Sequence, residues 1–175
     1  MDRTAFKFEL KTVSESDGSF TGLASTYGNV DQGGDSVQPG AFTKTLKNAK
    51  GPFPVLAGHD PSQQIGYAEL QDSHEGLQVK GKLVLHSERA RQSYELMKAR
   101  ALRGLSIGYD TIRSTMKEGV RQLLEVKLFE ISVTPFPMNE LATVTSVKDA
   151  SDPVAQFRRM MAQCAREIRQ VNDGE

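Results

Sequence analysis

Alternation between hydrophobic and polar residues, which is typical of half-buried β-strands, recurs along most of this 175-residue chain. In the segment 5–11, for example, Phe6, Phe8 and Leu10 share one face. Turn sequences rich in glycine, asparagine and aspartate separate such segments. The pattern predicts strands at residues 5–11, 20–25, 53–57, 64–70, 76–85, 102–109 and 120–134.

Helical periodicity occurs in three further segments, at residues 39–49, 88–101 and 153–171. Each carries apolar residues three or four positions apart, so one face can pack on a sheet. Strands interrupted by helices favour an α+β fold, namely a mainly antiparallel, closed or nearly closed β-barrel surrounded by a few helices. A linker at 148–151 divides the chain into a barrel domain, 1–147, and a C-terminal part, 148–175. The amphipathic helix of that part either packs on the barrel or docks on a partner.

Charge and composition argue against several classes of function. The chain has 22 Lys and Arg and 22 Asp and Glu, so no basic excess indicates nucleic-acid binding. No apolar run approaches the roughly 20 residues of a membrane span, and no signal-peptide core is present. The single cysteine, Cys164, excludes an internal disulfide and a cysteine-based zinc site. We therefore expect a cytosolic protein that binds neither nucleic acid nor membranes and whose charge does little to oppose self-association.

The loop at 27–36 is the part of the sequence that most resembles a metal site. It is rich in glycine and asparagine and contains the carboxylates Asp31 and Asp35. Their spacing does not follow the calcium-binding pattern of the EF-hand. We therefore predict neither a metal site nor a cofactor.

An unusual strand face surrounds Ser106. At the two-residue period of a strand, Leu105, Ile107 and Tyr109 point one way, whereas Ser106 lies on the other face between Gly104 and Gly108. Glycine inside a strand often marks a close approach to the backbone. The pattern therefore indicates either a bulge or barrel corner, or a serine left accessible to a substrate carbonyl and to a base.

Two other residues, His59 and Glu130, have side chains suited to acting together with Ser106 in catalysis. His59 directly follows an apolar strand, so it projects from the end of a core element. Glu130 continues the strand face of Val126 and Leu128, which predicts that it is buried and needs a partner. That partner is an arginine, such as Arg103 or Arg113, or it is His59. Ser132, which shares the face of Glu130, is a second and weaker candidate nucleophile.

Together, Ser106, His59 and Glu130 supply the residue types of a nucleophile, a base and an orienting acid. Their order, His-Ser-Glu, differs from that of the chymotrypsin, subtilisin and α/β-hydrolase groups. No strong helix follows Gly104-Leu105-Ser106-Ile107-Gly108, so the motif does not predict a nucleophile elbow. Spacing alone leaves the catalytic interpretation open.

Four short segments carry a family resemblance: Gly40-Ala41-Phe42, residues 56–61 with Ile65-Gly66, residues 104–109, and residues 130–137. In their order and spacing they resemble the maturation proteases of tailed-phage proheads, over roughly residues 5 to 147. The resemblance implies a serine endopeptidase packaged in the procapsid, in the cytoplasm of the bacterial host. Its substrates would be scaffold, the scaffold-like arm of the major capsid protein, and the protease itself.

The same resemblance implies a barrel similar to that of herpesvirus assembly proteases and, by that analogy alone, a homodimer. It implies that Ser106 is the nucleophile and His59 the general base. Herpesvirus proteases have a second histidine at the third position, but no histidine of this chain follows Ser106. Glu130 takes that position because it fits the phage-family motif and is expected to be buried. Two alternatives fit the residues: a catalytically silent capsid-assembly or scaffolding protein, and a small-molecule esterase.

Overall fold

The computed structural model describes residues 17–148 and residue 161. Within 17–148 the strands are β1 (Ser19–Thr26), β2 (Asp35–Val37), β3 (Phe53–Ala57), β4 (Gln64–Asp72), β5 (Gly76–Leu83), β6 (Gly104–Lys117), β7 (Val120–Thr134) and β8 (Val144–Val147). The helices in this range are α1 (Thr43–Lys47) and α2 (Glu88–Lys98). The predicted strand at 5–11 and the predicted helix at 153–171, with Cys164, lie outside the described residues. The division at residue 147 stays a prediction.

The eight strands form one strongly curved sheet. Its order is β2-β7-β3-β4-β5-β1-β8, and β6 pairs with β7. An isolated antiparallel bridge between Gly104 of β6 and Thr143, just before β8, joins the two ends of the curved sheet at one point. The sheet is antiparallel except where β2 and β3 pair with β7. The predicted α+β, mainly antiparallel barrel is therefore confirmed.

The strand β7 has three neighbouring strands, and these connections position the candidate site. On one edge it pairs with β6 along its full length. On the other edge it pairs with β2 near its start and with β3 near its end, both in parallel. Between them the loop before α1 and α1 itself bind the same edge, because Val126 N–H donates to Ala41 O (3.1 Å) and Leu128 N–H donates to Thr45 Oγ1 (3.1 Å).

A single apolar core fills the inside of the barrel. It includes buried residues from seven of the strands. Among them, Phe20, Val55, Ile65, Leu77, Leu105 and Ile131 are nearly inaccessible to solvent. The sequence predicted that Ala90, Tyr94, Met97 and Ala101 form one apolar stripe on the second helix. The first three pack against this core, whereas Ala101 lies beyond the end of α2 and is exposed. No helix among residues 17–148 is long and apolar enough to cross a membrane.

Both predicted helices in the described range are shorter than expected. The first was expected at 39–49, but Gly40 has a φ of +87° and the regular helix spans only Thr43–Lys47. The second was expected to continue to Ala101, but Arg100 has a φ of +58°, which a right-handed helix does not accommodate. A left-handed residue therefore lies before the start of α1, and another lies after the end of α2.

A β-bulge in β7 corrects the predicted face of Glu130. Glu130 pairs with Gly108 and Leu128 pairs with Tyr109, which leaves Phe129 as an extra residue in β7. Because Gly108 and Tyr109 point to opposite faces of β6, Glu130 and Leu128 also point to opposite faces. The prediction that Glu130 continues the face of Leu128 was therefore wrong, whereas its predicted burial is confirmed, with an exposed fraction of 8%.

Candidate active site

Three adjacent strands bring the candidate residues together. In the β6–β7 ladder, Ser106 lies directly opposite Ser132, and Gly108 lies opposite Glu130. Residues opposite each other in a ladder point to the same face of the sheet. These four positions therefore share the outer face of the barrel, the face opposite to that of Leu105. On the other edge of β7, Leu56 of β3 lies beside Ser132, and His59 follows the end of β3 by two residues.

Glu130 and His59 form the central contact of this site. The Nδ1 of His59 lies 2.7 Å from Oε1 of Glu130, within normal hydrogen-bond distance. The sequence left Arg103 and Arg113 as alternative partners, but among residues 17–148 the ion-pair partner of Glu130 is His59. A carboxylate accepts only, so Nδ1 carries the proton in this contact. The neutral ring then has its lone pair on Nε2.

The contact with Glu130 raises the pKa of His59 above its ordinary value. The hydrogen bond to the carboxylate is the main cause, and its negative charge adds to the effect. Partial burial of the imidazole acts in the opposite direction and is the smaller effect overall. The His59 side chain is 42% exposed, so the ring remains reachable from solvent. An imidazole held in this way is suited to accept a proton on Nε2.

Ser132 connects the main chain of His59 to the carboxylate of Glu130. Its hydroxyl donates to Oε2 of Glu130 (2.9 Å) and accepts the backbone N–H of His59 (2.9 Å). Its exposed fraction is 0%. A serine with no access to solvent cannot meet a substrate carbonyl, so Ser132 is unsuited to the role of nucleophile.

The backbone at His59 is in an uncommon conformation. His59 has a φ of +62° and follows Gly58, whose φ is +63°. A non-glycine residue in the left-handed region carries strain of about 1–3 kcal/mol, which surrounding contacts have to offset. One such contact is the hydrogen bond from Gly58 N–H to Val133 O (3.0 Å), and the other is that from His59 N–H to Ser132. Both attach the loop after β3 to β7.

Ser106 lies on the same sheet face as Glu130 but makes no hydrogen bond to His59. Its exposed fraction is 6%, and its hydroxyl makes no hydrogen bond within the part of the chain that the structure describes. It lies on the same face as Glu130 and Ser132, one strand away from the start of the His59 loop. Catalytic hydrogen bonds are often long in the absence of substrate, so this geometry is compatible with proton transfer from Ser106 to Nε2.

Comparison with known proteins identifies the family. A family model described as the caudovirus prohead serine protease matches residues 6–157. The chain belongs to the caudovirus prohead serine protease family. It is 30% identical over 152 residues to the prohead protease of Enterobacteria phage HK97, covering 84% of this chain and 66% of that protein. It is also 31% identical over 156 residues to the capsid polyprotein of Pseudomonas phage PAJU2, of which it covers 22%. The chain thus spans about two thirds of the first relative and about a fifth of the second.

Solved structures show the fold of this prohead protease family member. The KSHV protease, crystallised with a hexapeptide phosphonate inhibitor, aligns with a TM-score of 0.53 at 17% sequence identity. The alignment covers 89% of this chain and 76% of that protein. The predicted likeness to the herpesvirus protease fold is therefore confirmed.

A small cavity of about 100 Å³ lies beside Ser106, but it does not include His59 or Glu130. Ile107 and Tyr109, from the core face of β6, line it together with residues of the 27–36 loop. In that loop both carboxylate oxygens of Asp35 bind Arg121, at 2.7 and 2.5 Å. One of the two carboxylates considered for calcium binding is thus held in an ion pair. Residues 17–148 contain no group of three potential metal ligands.

At Gly108 the sequence indicated a close approach to the backbone, but not which group approaches. A Cβ atom built at this position would overlap the carboxylate of Glu130, which lies directly over the glycine. The close approach expected at a glycine within this strand is therefore made by Glu130. Any side chain at position 108 would force the carboxylate to move away from its contact with His59.

We expect Gly108→Ala to lower the pKa of His59 toward its ordinary value of about 6.5, because the displaced carboxylate loses its hydrogen bond to Nδ1. Proton NMR titration of the imidazole measures this pKa directly. Gly51→Ala is the matched control, since a Cβ there meets no atom within 4 Å. An unchanged His59 titration in Gly108→Ala would contradict the expectation.

Proposed function

We propose that this chain is a serine endopeptidase in which Ser106 is the nucleophile, His59 the general base and Glu130 the residue that orients His59. The single observation that carries the proposal is the 2.7 Å contact between His59 Nδ1 and Glu130 Oε1 on the sheet face that Ser106 shares. A buried acid paired with a half-exposed histidine beside a serine is the arrangement that nucleophilic catalysis requires.

The reaction proceeds by acyl transfer. Nε2 of His59 accepts the hydroxyl proton of Ser106 while Oγ attacks the peptide carbonyl carbon, and the imidazolium then gives that proton to the departing amine. Water hydrolyses the resulting ester by the same route in reverse and restores Ser106. Glu130 keeps Nδ1 protonated and stabilises the imidazolium. Backbone N–H groups of the 135–139 loop are candidates for binding the oxyanion, by analogy with related proteases.

We further propose that the substrates are capsid-assembly proteins, namely scaffold, the scaffold-like arm of the major capsid protein, and the protease chain itself. Membership of the prohead protease family supports this assignment. The relative from phage PAJU2 is named a capsid polyprotein, which also supports capsid protein as the substrate. The reaction would then take place inside the assembling procapsid in the bacterial cytoplasm.

Labelling with a fluorophosphonate tests for the activated serine. Attack by Oγ expels fluoride and adds one phosphonyl group, which intact-mass measurement detects. We expect one adduct per chain in the unmodified protein, none in Ser106→Ala, and labelling slowed by about 100-fold or more in His59→Ala. Ser114→Ala, at an exposed position on the same strand, should label at the unmodified rate.

Two results would contradict the proposal. Labelling that persists in Ser106→Ala would show that another residue is the nucleophile. Absence of labelling in the unmodified protein, at every protein concentration, would favour the alternative of a catalytically silent capsid-assembly protein.

A further inference from the structure

The side chain of Ser132 makes two hydrogen bonds, although Ser132 takes no part in the proposed reaction steps. It lies directly opposite Ser106 in the β6–β7 ladder, yet it is completely buried. One bond goes to the carboxylate of Glu130, and the other comes from the main chain of His59. A buried hydroxyl needs hydrogen-bond partners, but nothing requires that both partners belong to the same pair of functional residues.

The direction of both bonds follows from the chemistry of the groups. A backbone N–H can only donate, so the Ser132 oxygen must accept from His59. The hydroxyl proton then goes to Oε2 of Glu130, 2.9 Å away. Oε1 remains for the N–H of His59 Nδ1. The three hydrogen bonds thus form a closed ring. The His59 main chain donates to Ser132, Ser132 donates to Glu130, and Glu130 accepts from the His59 imidazole.

The ring also holds His59 in its left-handed backbone conformation. Of the two main-chain N–H groups of this loop that bond to β7, that of Gly58 donates to a backbone carbonyl, so its bond is independent of side-chain identity. The one from His59 depends entirely on the Ser132 hydroxyl. Removing this hydroxyl therefore releases the His59 main chain and one oxygen of Glu130 together.

We propose that Ser132 is a positioning residue, which fixes the His59 imidazole against Glu130 by binding both at once. This inference rests on the proposed roles of His59 and Glu130. Ser132 itself does not touch substrate, since it has no accessible surface. Its contribution is made through the geometry and the proton affinity of His59.

An NMR titration of the histidine side chains tests this proposal without requiring activity. The chain contains three histidines, His59, His74 and His86, so each imidazole resonance can be assigned and followed. Ser106→Ala serves as the parent to prevent self-cleavage. Adding Ser132→Ala should lower the apparent pKa of His59 by about 0.5 to 1 unit, because the imidazole is held less firmly against the carboxylate.

The charged groups near His59 lie on β7, in its own loop and on α2, from which the charge of Arg89 acts on Asp60. The titratable group that faces the ring from β7 is Glu130. In its own loop the neighbouring carboxylate, Asp60, accepts the backbone N–H and the hydroxyl of Ser62, at 2.9 and 2.7 Å. The β6 positions on this face are Ser106 and Gly108, which carry no charge.

Ser93→Ala is the matched control, because Ser93 is also buried but lies on α2. It should leave the His59 titration unchanged. Ser132→Cys is the second variant, since it keeps the approximate volume and replaces the hydroxyl by a weaker donor and acceptor. It should shift the pKa in the same direction as Ser132→Ala, by a smaller amount. With Ser106 present, Ser132→Ala should slow fluorophosphonate labelling by about 10- to 100-fold, as expected for a displaced base.

A His59 pKa that is the same in both Ser132 variants as in the parent would overturn the proposal, even if labelling were slower, because the effect would then be merely structural. An equal shift in Ser93→Ala would also overturn it. Failure of the proposed function would give a different result, because fluorophosphonate labelling would then not depend on Ser106 or on His59.

Discussion

Replacing Ser106 by alanine is expected to abolish the proposed cleavage of capsid-assembly protein, with a loss of about 10⁴-fold or more in rate. The loss follows from removing the attacking oxygen of the proposed mechanism. Ser132 is the neighbouring hydroxyl, and it is buried and bound to Glu130. The Ser106 hydroxyl makes no hydrogen bond within residues 17–148, so the fold should not depend on it.

Co-expression of this chain with the proposed capsid substrate, followed by gel and mass analysis of the products, measures this effect. Ser114→Ala on the same strand should process normally, because Ser114 is exposed and distant in sequence from the site. A thermal unfolding midpoint close to that of the unmodified protein would show that Ser106→Ala is folded. Processing that continues in a folded Ser106→Ala variant is incompatible with the proposed nucleophile.

The local pattern of the sequence predicted most of the described strands. Alternation placed β3 at residues 53–57, where the structure has it, and located the long strand β7 and the turn before it. It did not predict β2 or β8. Each has only three or four residues and depends on a long-range partner, β7 for β2 and β1 for β8. Such short strands carry no periodicity of their own.

The site was predictable in its residue types but not in its contacts. The glycines around Ser106 and the position of His59 at a strand end are features of local sequence. The bulge at Phe129 is not, because an extra residue in one strand is defined only against its partner. Extending the alternation through this bulge placed Glu130 on the face of Leu128, which was wrong, although the buried carboxylate was recognised correctly.

The role of Ser132 depends on the same three-dimensional pairing. From the sequence it was a second candidate nucleophile, since its spacing from Glu130 puts both on one face. What distinguishes it from Ser106 is complete burial and a hydrogen bond from a main chain 73 residues away. The local sequence pattern indicates neither property, because both depend on the parallel pairing of β3 with β7.

Glu130→Gln is expected to reduce kcat/KM for peptide cleavage by about 10²- to 10⁴-fold while keeping the shape of the side chain. The carboxylate accepts twice, from Nδ1 of His59 and from the hydroxyl of Ser132. An amide offers one oxygen and one NH₂ group. If the NH₂ group faces His59, Nδ1 must accept, the ring proton moves to Nε2, and the base is lost. If the NH₂ group faces Ser132, the tautomer survives but the negative charge that stabilises the imidazolium is gone.

The pH dependence separates this electrostatic role from a structural one. Glu130 raises the pKa of His59, and the base is active when neutral, so the activity of the unmodified enzyme should rise with pH through a value above the ordinary 6.5. In Glu130→Gln the cause of the shift is removed, so the acid limb should move to lower pH even as the maximum rate falls. Glu125→Gln, on the same strand, removes a surface ion pair with Lys44 and should change neither limb nor rate appreciably. An acid limb that stays in place in Glu130→Gln would mean that the carboxylate does not control the proton affinity of His59, and that its burial beside Gly108 stabilises only the fold.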